Sequence, residues 1–250
     1  MDLPVILLAG GLGTRLREET EFKPKPMVEI GGKPVLWHLM NNLASQDLDD
    51  FIVCGGYKVE VIKEYFQKKP FKQLKVGNSI DSAEHHSSAN LRIIDTGELT
   101  PTGGRIHNVK NLLQEGSFLV TYGDGLANVD ISKLLQFHKS HGKLATVTVH
   151  QPLSRFGLMD LNKNGQVKNF REKPQIKDWI NIGFFIFEYE VFKFLNTDTI
   201  LEQEPLRKLA ELGELFAYKH VGFWEPMDTY REYLHLTSLW ENNQAHWKNW

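Results

Sequence analysis

The chain has 250 residues, enough to bury a substantial core as one large domain or as two tightly joined halves. A 41% hydrophobic and 24% charged composition is that of an ordinary globular protein. A formal net charge of −2 argues against nucleic acid or a membrane surface as a bulk partner, and no apolar run approaches bilayer-spanning length.

In chain order, Pro4 to Leu8 is a run of apolar residues that reads as a strand covered on both faces. It empties into Ala9-Gly10-Gly11-Leu12-Gly13-Thr14-Arg15, a loop whose glycines leave backbone N–H groups open to an anion. Arg15 and Lys25, the latter in Lys23-Pro24-Lys25-Pro26, add positive charge. Pro34 opens a helix predicted to be amphipathic, with Val35, Leu36, Leu39, Met40 and Leu43 on its buried face. Asp50 to Cys54 is a second strand, and Val59, Ile62 and Phe66 mark the next helix. Cys54 lies in this apolar strand and reads as core filler; as the lone cysteine it fits a reduced, cytoplasmic setting.

The stretch 70–90 is polar and without clear period, and its His85-His86 pair reads as solvated loop. Elsewhere the histidines lack zinc-ligand spacing. Leu91 to Ile94 is a strand, and Thr102-Gly103-Gly104-Arg105 opens a helix carrying Ile106, Val109, Leu112 and Leu113. Ser117 to Tyr122 is a central strand ending in Gly123-Asp124-Gly125. A helix on Ile131, Leu134, Leu135 and His138 and a strand from Leu144 to Val149 follow. This rhythm predicts an α/β fold, a Rossmann-like open, mixed but mostly parallel sheet flanked by helices.

From Gln151 the character changes. Phe156–Leu161 and Gln166–Phe170 bracket Asn162-Lys163-Asn164-Gly165, a hairpin signal. Trp179 to Phe187 is a strand, Glu204 to Leu212 a helix, Phe216 to His220 a strand, and residues 223–229 a loop before the last helix. The expected organisation is a nucleotide-binding core at 1–150, a smaller β-rich substrate part at 151–228, and a terminal helix and tail at 229–250. The tail tryptophans, Trp240, Trp247 and Trp250, are expected to pack on their own chain.

The first loop fails two common phosphate-site patterns. From Gly11 the third position of a dinucleotide fingerprint is Leu16, and Gly32-Lys33 is followed by Pro34 where a Walker loop needs Ser or Thr. Parallel α/β sheets bind ligands at the carboxyl ends of their strands, which singles out the glycine loop, Asp124 and the Arg105 segment. Asp124, flanked by glycines, reads equally as a turn-capping aspartate, and Asp228 as a helix N-terminal residue. As a pair they meet the need of a hard cation for one or two carboxylates plus phosphate oxygens.

The pattern L-A-G-G-L-G-T-R-L with K-P-K-P-M-V-E-I-G-G-K-P resembles the sugar-1-phosphate nucleotidyltransferases. Taken with Gly55-Gly56-Tyr57-Lys58, Thr102 to Arg105, Thr121 to Gly125, Glu172-Lys173-Pro174 and Gly222 to Thr229, the chain is similar to the cytidylyltransferases acting on glucose 1-phosphate. The resemblance implies CTP and a sugar 1-phosphate as partners, Mg²⁺ as cofactor, and a homo-oligomer, with a hexamer as one option. It implies nucleotide contacts from Leu8, Ala9, Gly10, Gly11, Leu12, Gly13, Thr14, Arg15, Lys25, Thr100, Gly104, Arg105 and Gly123. Arg15, Lys25 and Asp124 would carry catalysis, Asp124 and Asp228 the metal, and Glu172, Lys173, Asn181 and Gly183 the sugar phosphate. Three positions depart from the pattern. Ile182 stands where glycine is usual and is expected to add bulk and resist positive φ, and Ser154 and Leu158 also differ. These leave other acceptors, and UTP or dTTP in place of CTP, open; a catalytically silent sugar-nucleotide-binding subunit is the reading from a different class.

Overall fold

The computed structural model describes residues 2–13, 16–69, 71 and 90–250. Thr14, Arg15 and most of the polar stretch 70–90, including His85 and His86, lie outside the described residues. The strands are β1 (Val5–Leu8), β2 (Glu29–Ile30), β3 (Lys33–Pro34), β4 (Asp50–Gly55), β5 (Asn90–Asp95), β6 (Ser117–Tyr122) and β7 (Gly125–Ala127). After these come β8 (Ala145–His150), β9 (Leu158–Leu161), β10 (Val167–Arg171), β11 (Ile180–Glu188), β12 (Leu215–Lys219) and β13 (Trp224–Pro226). The helices are α1 (Arg17–Thr20), α2 (Val35–Ala44), α3 (Val59–Lys68), α4 (Thr102–Asn108), α5 (Ile131–His141), α6 (Glu204–Glu211) and α7 (Tyr230–Glu241).

Seven of the described strands form one sheet in the order β12-β8-β11-β6-β1-β4-β5. Within it β6, β1, β4 and β5 run parallel, as do β8 and β12, and β11 is antiparallel to both its neighbours. The parallel centre explains the apolar runs: Val5 to Leu8 and Phe118 to Val120 are buried because helices cover both sheet faces. Burying one such side chain is worth about 1.5–3 kcal/mol, so these runs fix the sheet before any loop is considered. The reversal of β11 has a functional consequence. Its first residues, Ile180 and Asn181, lie at the same sheet edge where β1 and β6 end.

Four local expectations are corrected. α2 is buried nearly all round, with His38, Asn41 and Asn42 inside beside the apolar residues, because the chain terminus covers its second face. Trp247 packs there with no exposed surface, its carbonyl accepting from Asn42 Nδ2 at 2.7 Å. The helix begun at Thr102 stops at Asn108 and continues as a 3-10 turn over Lys110–Leu112, leaving Leu112 outside the core. The expected loop at 223–229 contains β13, paired antiparallel with β7. Finally, the positive φ in the Asn181–Phe185 bulge falls on Gly183 (79°) and Phe184 (50°), so Ile182 keeps an ordinary backbone and is simply buried.

Candidate active site

The glycine loop leaves the carboxyl end of β1 and is held from two sides. Ala9 N donates to Cys54 O at 2.9 Å from β4, and Gly123 N donates to Leu8 O at 2.9 Å from β6. The Arg105 guanidinium, 4% exposed, reaches under the loop from α4. Its terminal nitrogens donate to Gly10 O at 2.9 Å, Gly55 O at 2.8 Å, Gly97 O at 2.9 Å and Glu98 O at 3.1 Å. A Cβ on Gly10 would stand 2.0 Å from Arg105 Nη1, and one on Gly56 2.5 Å from it. Glycine at both positions is therefore required by the guanidinium that fills the space.

Above this floor lies a cavity of about 490 Å³. It is lined by Leu8 to Gly13, Lys25 and Pro26, Glu98 to Thr102, Arg105, Tyr122, Asp124 and Asp228. Most of the residues expected at the nucleotide meet here. Gly104 and Gly123 do not line it. Gly104 packs under the Thr197 carbonyl, which a Cβ would meet at 2.1 Å, and Gly123 sits over Leu8 O, which a Cβ would meet at 3.0 Å. Glu98, Leu99, Pro101, Thr102 and Tyr122 are wall residues that sequence reasoning missed; Tyr122 was within reach, as the last residue of a strand pointing at Asp124.

The charged centre is Lys25 between Asp124 and Asp228. Lys25 sits in a 3-10 turn over Lys25–Met27, 8% exposed, and donates to Asp124 Oδ2 at 2.6 Å and to Asp228 Oδ1. Burial pulls the Lys25 ammonium down, but the two carboxylates more than offset it, and its pKa stands above the ordinary lysine value. The β7–β13 ribbon explains how acids far apart in sequence meet. Asp124 immediately precedes β7 and Asp228 follows β13 by two residues; pairing Pro226 with Gly125 brings both to one end of the ribbon. Met227 N donates to Asp124 O at 2.9 Å and locks the register. Asp228 is steadied by Glu232, a buried carboxylate in the first turn of α7, which accepts from Asp228 N at 2.8 Å and Thr229 N at 2.9 Å. Arg155 from the 151–228 segment pairs with the same carboxylate. Thr229-x-x-Glu232 is a capping box, a signal present in the sequence.

The donor set fits a divalent cation. Asp124 and Asp228 converge on one cationic group, the Lys25 ammonium. That is the partial ligand set expected of an ion that completes its shell with water and phosphate oxygens.

The residues expected at the acceptor are divided. Asn181 and Gly183, at the start of β11, stand beside the cavity through Tyr122, with Asn181 Nδ2 3.5 Å from Tyr122 Oη. Glu172 and Lys173, just past β10, lie away from it as an exposed pair with Lys173 Nζ 3.9 Å from Glu172 Oε1. Ser154 is buried, donating its N–H to Pro174 O at 2.8 Å, so it ties the two ends of the hairpin segment together. Leu158 is an exposed residue of β9.

Comparison with known proteins is consistent over the whole length. The nucleotidyl transferase family profile matches residues 4–225. The glucose-1-phosphate cytidylyltransferase of Salmonella typhimurium is 47% identical over 259 aligned residues, covering 99% of this chain and all of that protein. The probable glucose-1-phosphate cytidylyltransferase of Bacillus subtilis is 39% identical over 255, again 99% of this chain and all of its own. Among solved structures, HddC from Yersinia pseudotuberculosis superposes with a TM-score of 0.71 at 26% identity, over 95% of this chain and 99% of that one. A UDP-glucose pyrophosphorylase complexed with UDP-glucose shares the fold at a TM-score of 0.71 and 16% identity, over 97% of this chain and 100% of its own. The chain belongs to the nucleotidyl transferase family, and along its full length it is similar to the glucose-1-phosphate cytidylyltransferases.

Proposed function

We propose that the protein transfers a cytidylyl group from CTP to α-D-glucose 1-phosphate, releasing pyrophosphate and CDP-glucose. One observation carries the reading: the glycine loop and the Lys25–Asp124–Asp228 centre open into a single cavity in a chain similar end to end to cytidylyltransferases of that specificity. In the reaction a phosphate oxygen of the sugar 1-phosphate attacks the α-phosphorus of CTP, the bond to the β-phosphate oxygen breaks, and pyrophosphate departs with that electron pair. A phosphate monoester oxygen is already a competent nucleophile, so no side chain has to remove a proton. Catalysis is alignment of two anions and stabilisation of charge on the leaving group.

The residues divide that work. Backbone N–H groups of Leu8 to Gly13, with Thr14 and Arg15, hold the nucleotide; Gly123, Gly104, Thr100 and Arg105 shape its surroundings. Lys25 faces the α-phosphate, where a low-dielectric position makes its charge count for more. Lys173 meets the acceptor phosphate, and Glu172, Asn181 and Gly183 the hexose. Nucleotidyl transferases of this family work with a divalent metal; Asp124 and Asp228 would hold Mg²⁺, which when bound neutralises phosphate charge. In this reading residues 1–150 serve the nucleotide, 151–228 the acceptor and 229–250 the scaffold, in a cytoplasmic homo-oligomer such as a hexamer serving surface-polysaccharide synthesis.

Pyrophosphate release, measured with Mg²⁺ across four nucleoside triphosphates and a set of sugar 1-phosphates, tests it. A maximum at CTP with glucose 1-phosphate is the expected result. A maximum at another pair keeps the chemistry and replaces the substrate, and no release with any pair leaves a sugar-nucleotide-binding subunit.

A further inference from the structure

Tyr122 is a wall residue of the cavity to which the proposed reaction gives no part. It is the last residue of β6, one step before Gly123-Asp124, and it stands where the nucleotide side gives way to the start of β11. Its ring lies against Gly183: a Cβ there would come within 2.8 Å of Tyr122 Cδ2, so the missing side chain is what admits the ring. The ring also meets Phe185, two residues further along β11, edge-on at 6.1 Å between centroids. Both contacts come from β11, and together with the hydroxyl's hydrogen bond to Glu202 they orient the phenol.

The direction of its proton is equally settled. Tyr122 Oη donates to Glu202 Oε1 at 2.5 Å, and Glu202 Oε2 accepts from Thr102 Oγ1 at 2.7 Å. Thr102 in turn accepts from Leu201 N at 2.9 Å, which pins the turn carrying Glu202 to the first residue of α4. A carboxylate has no proton to give back, so the phenolic hydrogen points at Glu202 and the oxygen's lone pairs are left to accept. Asn181 Nδ2, at 3.5 Å, is the neighbour on the acceptor side and is not close enough to fill that capacity well.

We propose that Tyr122 recognises the acceptor sugar, its hydroxyl oxygen accepting a hydrogen bond from one hexose hydroxyl, and that Glu202 is the positioning residue that commits the phenolic proton and fixes the group. This rests on the acceptor reading given above. The charges agree with it. Glu202 repels a phosphate, whereas Lys25, in the same cavity, attracts one, so a hexose 1-phosphate enters with its hydroxyl face toward Tyr122 and its phosphate toward Lys25. A site built around a hydroxyl discriminates against an analogue that lacks it, because the protein group is then left without its partner.

The test is steady-state kinetics of the full chain with CTP, Mg²⁺, glucose 1-phosphate and its 2-, 3-, 4- and 6-deoxy analogues, for wild type, Tyr122→Phe and Glu202→Gln. Loss of one neutral hydrogen bond predicts a rise of about 3- to 10-fold in KM for glucose 1-phosphate in Tyr122→Phe. KM for CTP stays within about twofold. The decisive readout is the analogue series: the variant stops distinguishing glucose 1-phosphate from one of the four, which wild type rejects. Glu202→Gln, which offers its amide in place of one acceptor oxygen, shows the same pattern more weakly. The proposal is overturned if Tyr122→Phe preserves the full deoxy profile, or if KM for CTP rises in parallel with KM for the sugar. Should wild type prefer a different acceptor, the substrate reading of the proposed function fails by itself, and the same comparison on that acceptor's deoxy series decides Tyr122. If wild type turns over no pair, calorimetric titration with glucose 1-phosphate and the deoxy series decides it by the same criterion.

Discussion

The two sides of the candidate active site are built differently. On the nucleotide side the functional groups are buried, cross-linked and held by short regular elements. Lys25 is locked between two carboxylates, Gly10 is held by Arg105, and Asp228 is held by Glu232. Glu172 and Lys173, proposed for the acceptor, follow directly on a two-stranded ribbon, β9 with β10, whose residues are mostly exposed. A triphosphate carries a high charge on a flexible chain, so a pre-organised cradle lowers the cost of aligning it. An acceptor hexose offers hydroxyls and a phosphate monoester; in the proposed reading the exposed Lys173 meets the phosphate, while the fixed Tyr122 meets one hydroxyl. The three departures from the family pattern, Ser154, Leu158 and Ile182, all fall on the open side or next to it.

The sharpest test of the pre-organised side removes its charges one at a time. Asp124→Asn is expected to lower kcat/KM by about a thousandfold, with the melting temperature nearly unchanged. Lys25→Met is expected to lose a similar amount of turnover. Its second effect has the opposite sign, because two carboxylates left facing each other without the ammonium bind a divalent cation more tightly. Calorimetric titration with Mg²⁺ on both variants separates the roles. An Asp124→Asn protein with full activity would remove the metal assignment, and a Lys25→Met protein with weakened Mg²⁺ binding would show that the lysine supports the metal site.

The scaffold under Lys25 gives the next effect. His38 accepts from Trp247 Nε1 at 3.5 Å and holds Ile30 O at 2.8 Å, just past the turn that carries Lys25. Burial pushes its pKa down to about 4, helped by Lys248 and Lys33 nearby. A base whose folded pKa lies below the unfolded value binds its proton in the unfolded state first. Its contribution is therefore complete above about pH 6.5 and lost as pH falls from there toward 4, by about 3 kcal/mol in total. His138 and His220 are shifted the same way, each chiefly by burial. Thermal unfolding between pH 7 and 4.5 should show a falling melting temperature, and His38→Gln should flatten part of the slope. A wild-type melting temperature independent of pH in that window would contradict the buried, neutral assignment.

The sheet was legible in the sequence because burial on both faces writes itself as uninterrupted apolar runs, seen in Val5 to Leu8 and Phe118 to Val120. Chemistry and the family resemblance paired Asp124 with Asp228, but no local pattern placed Lys25 between them: it lies 99 positions from Asp124 and 203 from Asp228. The device that joins them, β7 with β13, has three residues in each strand, with Gly125 in one and Pro226 in the other. Strands that short carry no period, and their pairing is set by the parts they connect. Tyr122 shows the same limit in another form. The strand it ends was evident, but Glu202, which orients it, sits in a turn with no sequence signal at all.

Glu232 lies on the boundary between the two sides, since Arg155 of the acceptor segment and Asp228 of the charged centre share its carboxylate. Glu232→Ala removes half of the α7 capping box and leaves the Asp228 and Thr229 N–H groups unmatched. A loss of about 1–3 kcal/mol is expected, or several degrees in melting temperature. Apparent affinity for Mg²⁺ should weaken with it, measured as the metal concentration giving half-maximal turnover. If stability falls with no change in metal dependence, Glu232 serves the helix alone.

The smallest effect belongs to the exposed ribbon and defines the contrast. Lys173 is 62% exposed at its side chain and has only a long contact to Glu172, so its removal costs the fold next to nothing. Lys173→Ala should raise KM for the sugar 1-phosphate by about tenfold, through loss of one cation on a doubly charged phosphate, at unchanged KM for CTP. Raising the ionic strength should narrow the gap between variant and wild type, because an exposed charge is screened where the buried Lys25 is not. A rise in KM for CTP of the same size would show that the ribbon closes over both substrates, and the division between a fixed nucleotide side and an open acceptor side would then be wrong.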